Sequence, residues 1–304
     1  MKIIFFGSTD FSQPILESIH DKFKIAGIVT SKPKPKGRGL KTAQPEIADW
    51  ADSTGINVYM PDDPNSEAFI ETLKALSPDL YLLSAYGHIL SKELLSVARL
   101  GGINIHPSLL PRYRGAAPIQ RAIMAGEEQT GVTLFFMDEK IDHGNMIAQR
   151  SLPIEKDDTY GSLAKKLALL GSKMIIDVLH TVEAGDYQLV KQTGEVSYAP
   201  KLKKEELLIN WQESALSVCN HIRALSPRPG ARTYFRKKEL IITLALLGEK
   251  NVTPGTIHID ARRIYVGASN GSLVLIEVKP EGRKLMSALD FYNGYRIQEG
   301  EVLG

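Results

Sequence analysis

The sequence predicts an α/β protein: a mostly parallel sheet with helices on both faces, followed by a small C-terminal β-barrel. Three observations carry this. Apolar runs alternate with helical patterns up to about residue 187, as in a Rossmann-like, doubly wound sheet. Beyond residue 230 the segments become short, apolar and punctuated by Gly and Pro, as in an OB-like barrel. Between these regions Gln188–Glu206 is polar and lysine-rich and reads as a linker. The expected domains are 1–187, catalytic, and 207–304, the barrel, joined by 188–206. A chain of 304 residues has room for both.

In order, Lys2–Phe6 reads as a strand, Gly7 as the turn after it, and the pattern to Ile19 as a helix. The spacing G-x-G-x-x-G of a dinucleotide site is absent from that turn. Lys24–Thr30 is a second strand, Pro45–Ser53 a helix, Asn57–Met60 a strand and Ser66–Leu76 a helix. Pro78–Gly87 is a buried strand running into a small-residue turn, and Ser91–Ala98 a helix. Gly101–His106 is a strand. Gly115–Ala125 is a helix with Pro118 in its first turn, where a missing N–H does little harm. Thr130–Met137 and Met146–Ile154 are strands around the polar turn Asp138–Asn145, and Thr159–Glu183 is the longest helical pattern. The C-terminal region opens with a helix over Glu213–Ala224. Short strands follow at Thr233–Phe235, Leu240–Leu246, Gly255–Ile259, Arg263–Val266 and Leu273–Lys279.

The net charge of +2 hides an asymmetry. Residues 201–304 hold 16 Lys/Arg against 11 Asp/Glu, and the rest of the chain 21 against 24. A basic C-terminal third points weakly to a polyanionic partner. With one cysteine, Cys219, no disulfide and no cysteine-based zinc site can form. The first residues are too short an apolar run for a signal peptide, and no run approaches a membrane span. A cytosolic chain without a membrane partner is expected.

Residues 31–41 carry five basic residues, two Pro and two Gly, with no acid. Lys34, Lys36, Arg38 and Lys41 stand in this stretch. A solvated loop and a phosphate-contacting loop that orders on binding are both open readings.

The stretch Gly101–Gly115 organises the chain. Residues two apart on a strand share a face, so Asn104 and His106 project together while Ile103 and Ile105 turn into the core. Pro107 ends the strand. The carboxyl end of a strand in an open parallel sheet is where active sites form. Asp142 lies in the turn after the neighbouring strand. An aspartate on one imidazole nitrogen sets the tautomer and favours the charged ring, leaving the other nitrogen for proton transfer. A carboxamide N–H can stabilise an oxyanion. The G-x-S-x-G elbow is absent, which favours direct transfer of an acyl group over an acyl-enzyme. A structural histidine, with Asn104 and Asp142 serving only their turns, stands as the alternative. His and Asp without a third ligand argue only weakly for a metal, and none is expected.

Asn104-Ile105-His106-Pro107-Ser108-Leu109-Leu110-Pro111, followed by Arg112-Tyr113-Arg114-Gly115, resembles the signature of the folate-dependent formyltransferases. The resemblance implies that Asn104, His106 and Asp142 are the catalytic set. It implies that Ser108, Leu109, Leu110 and Pro111 contact the folate. It also implies that the turn Ala85, Tyr86, Gly87 and the turn Asp138–Asp142 line the pterin site, mainly through backbone groups. Gly115–Ile123, Thr130–Thr133, Tyr198–Lys201 and Pro227–Ala231 are similar to the members acting on methionyl-tRNA. The implied donor is 10-formyltetrahydrofolate, and the implied acceptor is the α-amine of methionine on initiator tRNA, for translation initiation. The basic loop sits where those members contact tRNA, and a monomer is expected.

Overall fold

The structure, a computed structural model, describes residues 1–35, 42–43 and 45–304. It divides into two compact units. The first comprises Met1–Pro118, Thr130–Leu152 and Ala164–Ala199; the second comprises Ile119–Gln129, Pro153–Leu163 and Pro200–Gly304.

The sheet of the first unit is built from β1 (Lys2–Gly7), β2 (Lys24–Val29), β5 (Val58–Tyr59), β6 (Leu80–Ser84), β7 (Gly102–His106), β8 (Gln129–Phe136) and β9 (Met146–Pro153). A separate two-stranded ribbon pairs β3 (Lys34–Pro35) with β4 (Thr42–Ala43). The helices between are α1 (Gln13–His20), α2 (Glu46–Thr54), α3 (Glu67–Leu76), α4 (Lys92–Leu95) and α6 (Tyr160–Ala184); α5 (Pro118–Met124) follows β7 in sequence, and from Ile119 on it belongs to the second unit. The strand order is β5-β2-β1-β6-β7-β8-β9. The pairs β2–β5, β1–β2, β1–β6 and β6–β7 are parallel, and β8 turns antiparallel to β7. Strand order reverses beside β1, as in doubly wound sheets. Ile3, Ile4, Phe5 and Phe6 of β1 are fully buried, because a central parallel strand is covered on both faces.

Two helices are shorter than their sequence patterns predict. The segment after Ser91 makes a single turn, α4, with Ser91 Oγ accepting from Leu94 N at 3.2 Å. Helix α5 begins at Pro118 rather than Gly115. Arg114 and Ala117 spend their backbone groups elsewhere: Arg114 N donates to Ser197 O (2.9 Å), Ala199 N to Arg114 O (2.7 Å) and Ala117 N to Ala199 O (3.0 Å). Groups so engaged cannot join a helical ladder.

The second unit is an antiparallel barrel of β10 (Ala231–Phe235), β11 (Lys238–Gly248), β12 (Ile257–Asp260), β13 (Arg263–Ala268) and β14 (Gly271–Pro280), with β15 (Met286–Ser287) added to β14. The sheet order β10-β11-β14-β13-β12 leaves two edges. Residues 301–304 lie between them: Ile257 N donates to Glu301 O, Leu303 N to Gly255 O, and Gly304 N to Tyr234 O. Closure removes the exposed edges. Helix α7 (Ala215–Leu225) packs on β11, and α8 (Ala288–Tyr295) follows β15. The core includes Val218, Ile222, Ile242, Val266, Leu273 and Phe291. In this unit Arg121 grips Glu206 through Nη1–Oε1 (2.5 Å) and Nη2–Oε2 (3.1 Å). That guanidinium, with the Lys203 N–H, pulls the Glu206 carboxyl down to about 2.

Candidate active site

Strand β7 delivers Asn104 and His106 as its alternation predicts. Ile103 and Ile105 are buried, His106 ends the strand, and Asn104 is half-buried on the same face. Asp142 comes from the turn after β8. Asn104 Nδ2 donates to Asp142 Oδ1 at 3.3 Å, and His106 Nδ1 lies 3.5 Å from Asp142 Oδ2. The three sequence-predicted polar groups therefore meet. The His106 side chain is only 5% exposed and that of Asp142 12%, so their interaction is poorly screened by water.

The second ring nitrogen is not free, contrary to the sequence expectation. His106 Nε2 lies 2.9 Å from the Tyr113 carbonyl oxygen. A carbonyl only accepts, so Nε2 carries a proton. Nδ1 is then the nitrogen that faces Asp142. Tyr113 sits at φ 59°, in the left-handed region unusual for a residue with a side chain, and its N–H is held by Ser197 Oγ at 2.9 Å. This turn aims its carbonyl back at the ring.

Asp142 is itself in the left-handed region, at φ 46°, which Asp tolerates better than most residues. Two residues on, Gly144 lies so close to Phe136 O that a Cβ would overlap it. Asp142 Oδ2 accepts from Gly115 N at 2.7 Å. Gly115 has φ 120°, and a Cβ there would lie 2.8 Å from Ala199 O, so the position calls for glycine. Gln192 completes the surroundings. Its Nε2 donates to Asp142 O and Gly144 O, both at 2.9 Å, and its Oε1 accepts from Arg114 Nε (3.1 Å) and Nη2 (2.6 Å). Sequence reasoning missed Tyr113 and Gln192 as site residues. The Tyr113 contact is a backbone carbonyl, which every residue has, and Gln192 stands in a stretch read as a linker.

A cleft of ≈480 Å³ is lined by Lys92, Leu95, Ser96, Met137, Asp138, Glu139, Lys140 and His143. It is bounded by the turn that leads into Asp142. Leu95 and Met137 supply apolar walls, and Lys92, Asp138, Glu139 and Lys140 a polar edge, the combination expected of a small-molecule site. The other predicted folate residues are placed as follows. Ala85 and Gly87 are exposed, at φ 48° and 83°. Between them the Tyr86 ring packs edge-on against Phe6, and burial pushes its phenol up to about 12. This turn therefore presents backbone rather than the tyrosine ring. Ser108, Leu110 and Pro111 are buried and Leu109 half-buried. Ser108 Oγ donates to Arg112 O at 2.7 Å, and Thr133 Oγ1 donates to Ser108 O at 2.7 Å. Gln149 Nε2 donates to Leu110 O at 2.9 Å. The segment is thus locked by its own hydrogen bonds.

Of the basic loop, Lys36, Arg38 and Lys41 lie outside the described residues. Lys34 is described only by its backbone, in β3. No described helix is long and apolar enough to cross a membrane.

A family model described as formyl transferase matches residues 1–179, and one described as the formyl transferase C-terminal domain matches residues 201–296. A methionyl-tRNA formyltransferase of Dictyoglomus thermophilum is 43% identical over 309 residues, covering 99% of this chain and 99% of the relative. Among solved structures, HypX from Aquifex aeolicus in complex with tetrahydrofolic acid superposes with a TM-score of 0.71 at 19% identity. The match covers 99% of this chain and 48% of HypX, and shows a shared fold. The methionyl-tRNA formyltransferase from Clostridium thermocellum superposes with a TM-score of 0.57 at 19% identity, covering 82% of this chain and 94% of that one. Full-length identity at the level of the Dictyoglomus relative, with each part of the sequence matched by its own family model, means that the chain belongs to the formyl transferase family.

Proposed function

We propose that this chain transfers the formyl group of 10-formyltetrahydrofolate to the α-amine of methionine on initiator tRNA, acting as a cytosolic monomer. The observation that carries the reading is the convergence of Asn104, His106 and Asp142, the last of them next in sequence to His143 of a cleft of small-molecule size, in a chain 43% identical to a methionyl-tRNA formyltransferase. Residues 1–187 are the catalytic domain, 188–206 the connecting segment, whose part up to Ala199 packs with the first unit, and 207–304 the tRNA-binding barrel.

The folate supplies an activated formyl group on a poorly basic nitrogen; the neutral α-amine adds to the formyl carbon, the bond from that carbon to the folate nitrogen breaks, and the proton lost by the amine ends on that nitrogen, leaving tetrahydrofolate. Leu95, Met137 and the Asp138–Asp142 backbone hold the folate, with Ala85, Tyr86 and Gly87 contributing backbone and the Ser108–Pro111 segment a rigid wall. Asn104 donates one amide N–H to Asp142 and offers the other to the negative charge that develops on the formyl oxygen. His106 keeps its Nε2 proton on Tyr113 O and exchanges a proton at Nδ1, beside Asp142. Asp142 orients the ring. The basic residues Lys34, Lys36, Arg38 and Lys41 and the positively charged C-terminal third supply salt-dependent affinity for RNA phosphates.

The test is formyl transfer from 10-formyltetrahydrofolate to methionyl initiator tRNA by the wild type, His106→Ala and Lys36→Ala/Arg38→Ala. Transfer by the wild type, its loss in His106→Ala, and a raised, more salt-sensitive KM for tRNA in the loop variant are expected. A wild type that binds folate and leaves the tRNA unformylated overturns the acceptor.

A further inference from the structure

We infer that Gln192 is a positioning residue of the active site, and that the segment 190–199 is a strap holding both partners of His106. The inference rests on the proposed role of Asn104, His106 and Asp142.

His106 has two partners, and neither is on its own strand. Nε2 meets the Tyr113 carbonyl and Nδ1 faces Asp142. Both partners sit in left-handed backbone, at φ 59° and 46°. Such conformations persist where the surroundings hold them. The same ten-residue segment holds both. Ser197 Oγ accepts from Tyr113 N and Ser197 O from Arg114 N. Gln192 donates to the carbonyls of Asp142 and Gly144, on either side of His143. At its upstream end the segment is anchored by paired backbone bonds between Val190 and Met146 (2.8 and 2.9 Å).

The Gln192 amide uses both N–H groups and its oxygen accepts twice, so its hydrogen-bonding capacity is filled. Its orientation is dictated. Turned over, it would set its oxygen against two carbonyls and its NH2 against the Arg114 guanidinium. Arg114 is itself buried, and its neighbour Gly115 donates to the Asp142 carboxylate. A closed circuit results: Asp142 carboxylate, Gly115 N–H, Arg114 side chain, Gln192 amide, Asp142 carbonyl. The carboxylate that faces His106 is thereby held at both ends of its own residue. A glutamate at 192 keeps the acceptor for Arg114 and replaces the donor by a second oxygen aimed at two carbonyls. It cuts the circuit at one known place.

The experiment compares wild type, His106→Ala, Gln192→Glu, Gln192→Ala and Gln192→Asn as full-length chains. Steady-state formyl transfer, thermal midpoints and the 15N spectrum of the His106 ring are measured. Gln192→Glu is expected to lower kcat roughly 10- to 100-fold, the scale of a small misplacement of a catalytic group. The KM for folate and for tRNA should stay near wild type, and the single Nε2–H signal of His106 should broaden or shift. Gln192→Asn, which keeps the amide but is shorter, should fall between wild type and Gln192→Ala. Unchanged kcat with an unchanged ring spectrum overturns the proposal. So does a loss of kcat that follows the thermal midpoint through all three variants while the ring spectrum of the folded fraction stays wild-type. If the wild type transfers no formyl group, or His106→Ala transfers as well as wild type, the proposed function falls, and the ring spectrum alone still decides whether Gln192 positions the imidazole.

Discussion

The carbonyl oxygen of Tyr113 receives the Nε2 proton of His106 at 2.9 Å, seven residues along the chain. The contact depends on backbone conformation. Glycine adopts the required positive φ and keeps both carbonyl and N–H, whereas proline fixes φ near −65° and lacks the N–H that binds Ser197. Tyr113→Pro is therefore expected to lose roughly 100-fold in kcat, and Tyr113→Gly distinctly less. Steady-state kinetics of the two variants check this ordering.

Asp142 binds Gly115 N–H through the same oxygen that faces His106. An asparagine retains an acceptor for that N–H but removes the charge. Asp142→Asn should fold with a wild-type circular dichroism spectrum and lose roughly 10²- to 10⁴-fold in turnover, the range for general acid–base assistance. Asn104→Ala should lose roughly 10²- to 10³-fold, as for a deleted oxyanion donor. Turnover near wild type in either would contradict the assigned roles.

Two glycines predict opposite signs. A Cβ at Gly144 overlaps Phe136 O, and both are backbone-fixed, so Gly144→Ala should destabilise by about 1–3 kcal/mol. Gly294 lies in α8 with open space around it and no positive φ. Gly294→Ala should stabilise by about 0.5–1 kcal/mol through helix propensity. Urea unfolding of both variants measures the signs.

Glu206 provides a pH signature. Its carboxyl is held at about 2, below the ordinary 4.5, chiefly by Arg121. A depressed carboxylate stabilises the folded state fully above its unfolded value, and the contribution fades as pH falls from about 4.5 towards 2. The wild type should therefore be more stable than Arg121→Met near neutral pH, and the difference should shrink over that window. Because the pair is partly exposed, added salt should shrink it too. A difference independent of pH would mean that Arg121 acts through packing.

The two-residue period of β7 made Asn104 and His106 legible as a pair, and the buried runs marked nearly every sheet strand. What was illegible acts at a distance or through backbone. Helix α5 starts late because residues 197–199 compete for the backbone of Arg114 and Ala117, a contest invisible to local propensity. Helix α8 was not predicted, although Ser287 and Asp290 form its N-terminal cap, a readable signal. The linker reading of Gln188–Glu206 rests on polarity, and in Gln192 the polar side chain is engaged with the backbone carbonyls of Asp142 and Gly144. Composition separates polar from apolar residues. It does not tell a solvated amide from one whose every bond is made.

The strap has a consequence in time. Gln192 meets Asp142 across 50 residues and Ser197 meets Tyr113 across 84, whereas β1 and β2 join partners 22 or 23 residues apart, β6 and β7 partners 21 apart, and β1 and β6, the longest closure in the sheet, partners 77 apart. Closing long loops is slower than closing short ones. A refolding chain should thus regain its far-ultraviolet circular dichroism while the imidazole still lacks its two fixed neighbours, and turnover should return last.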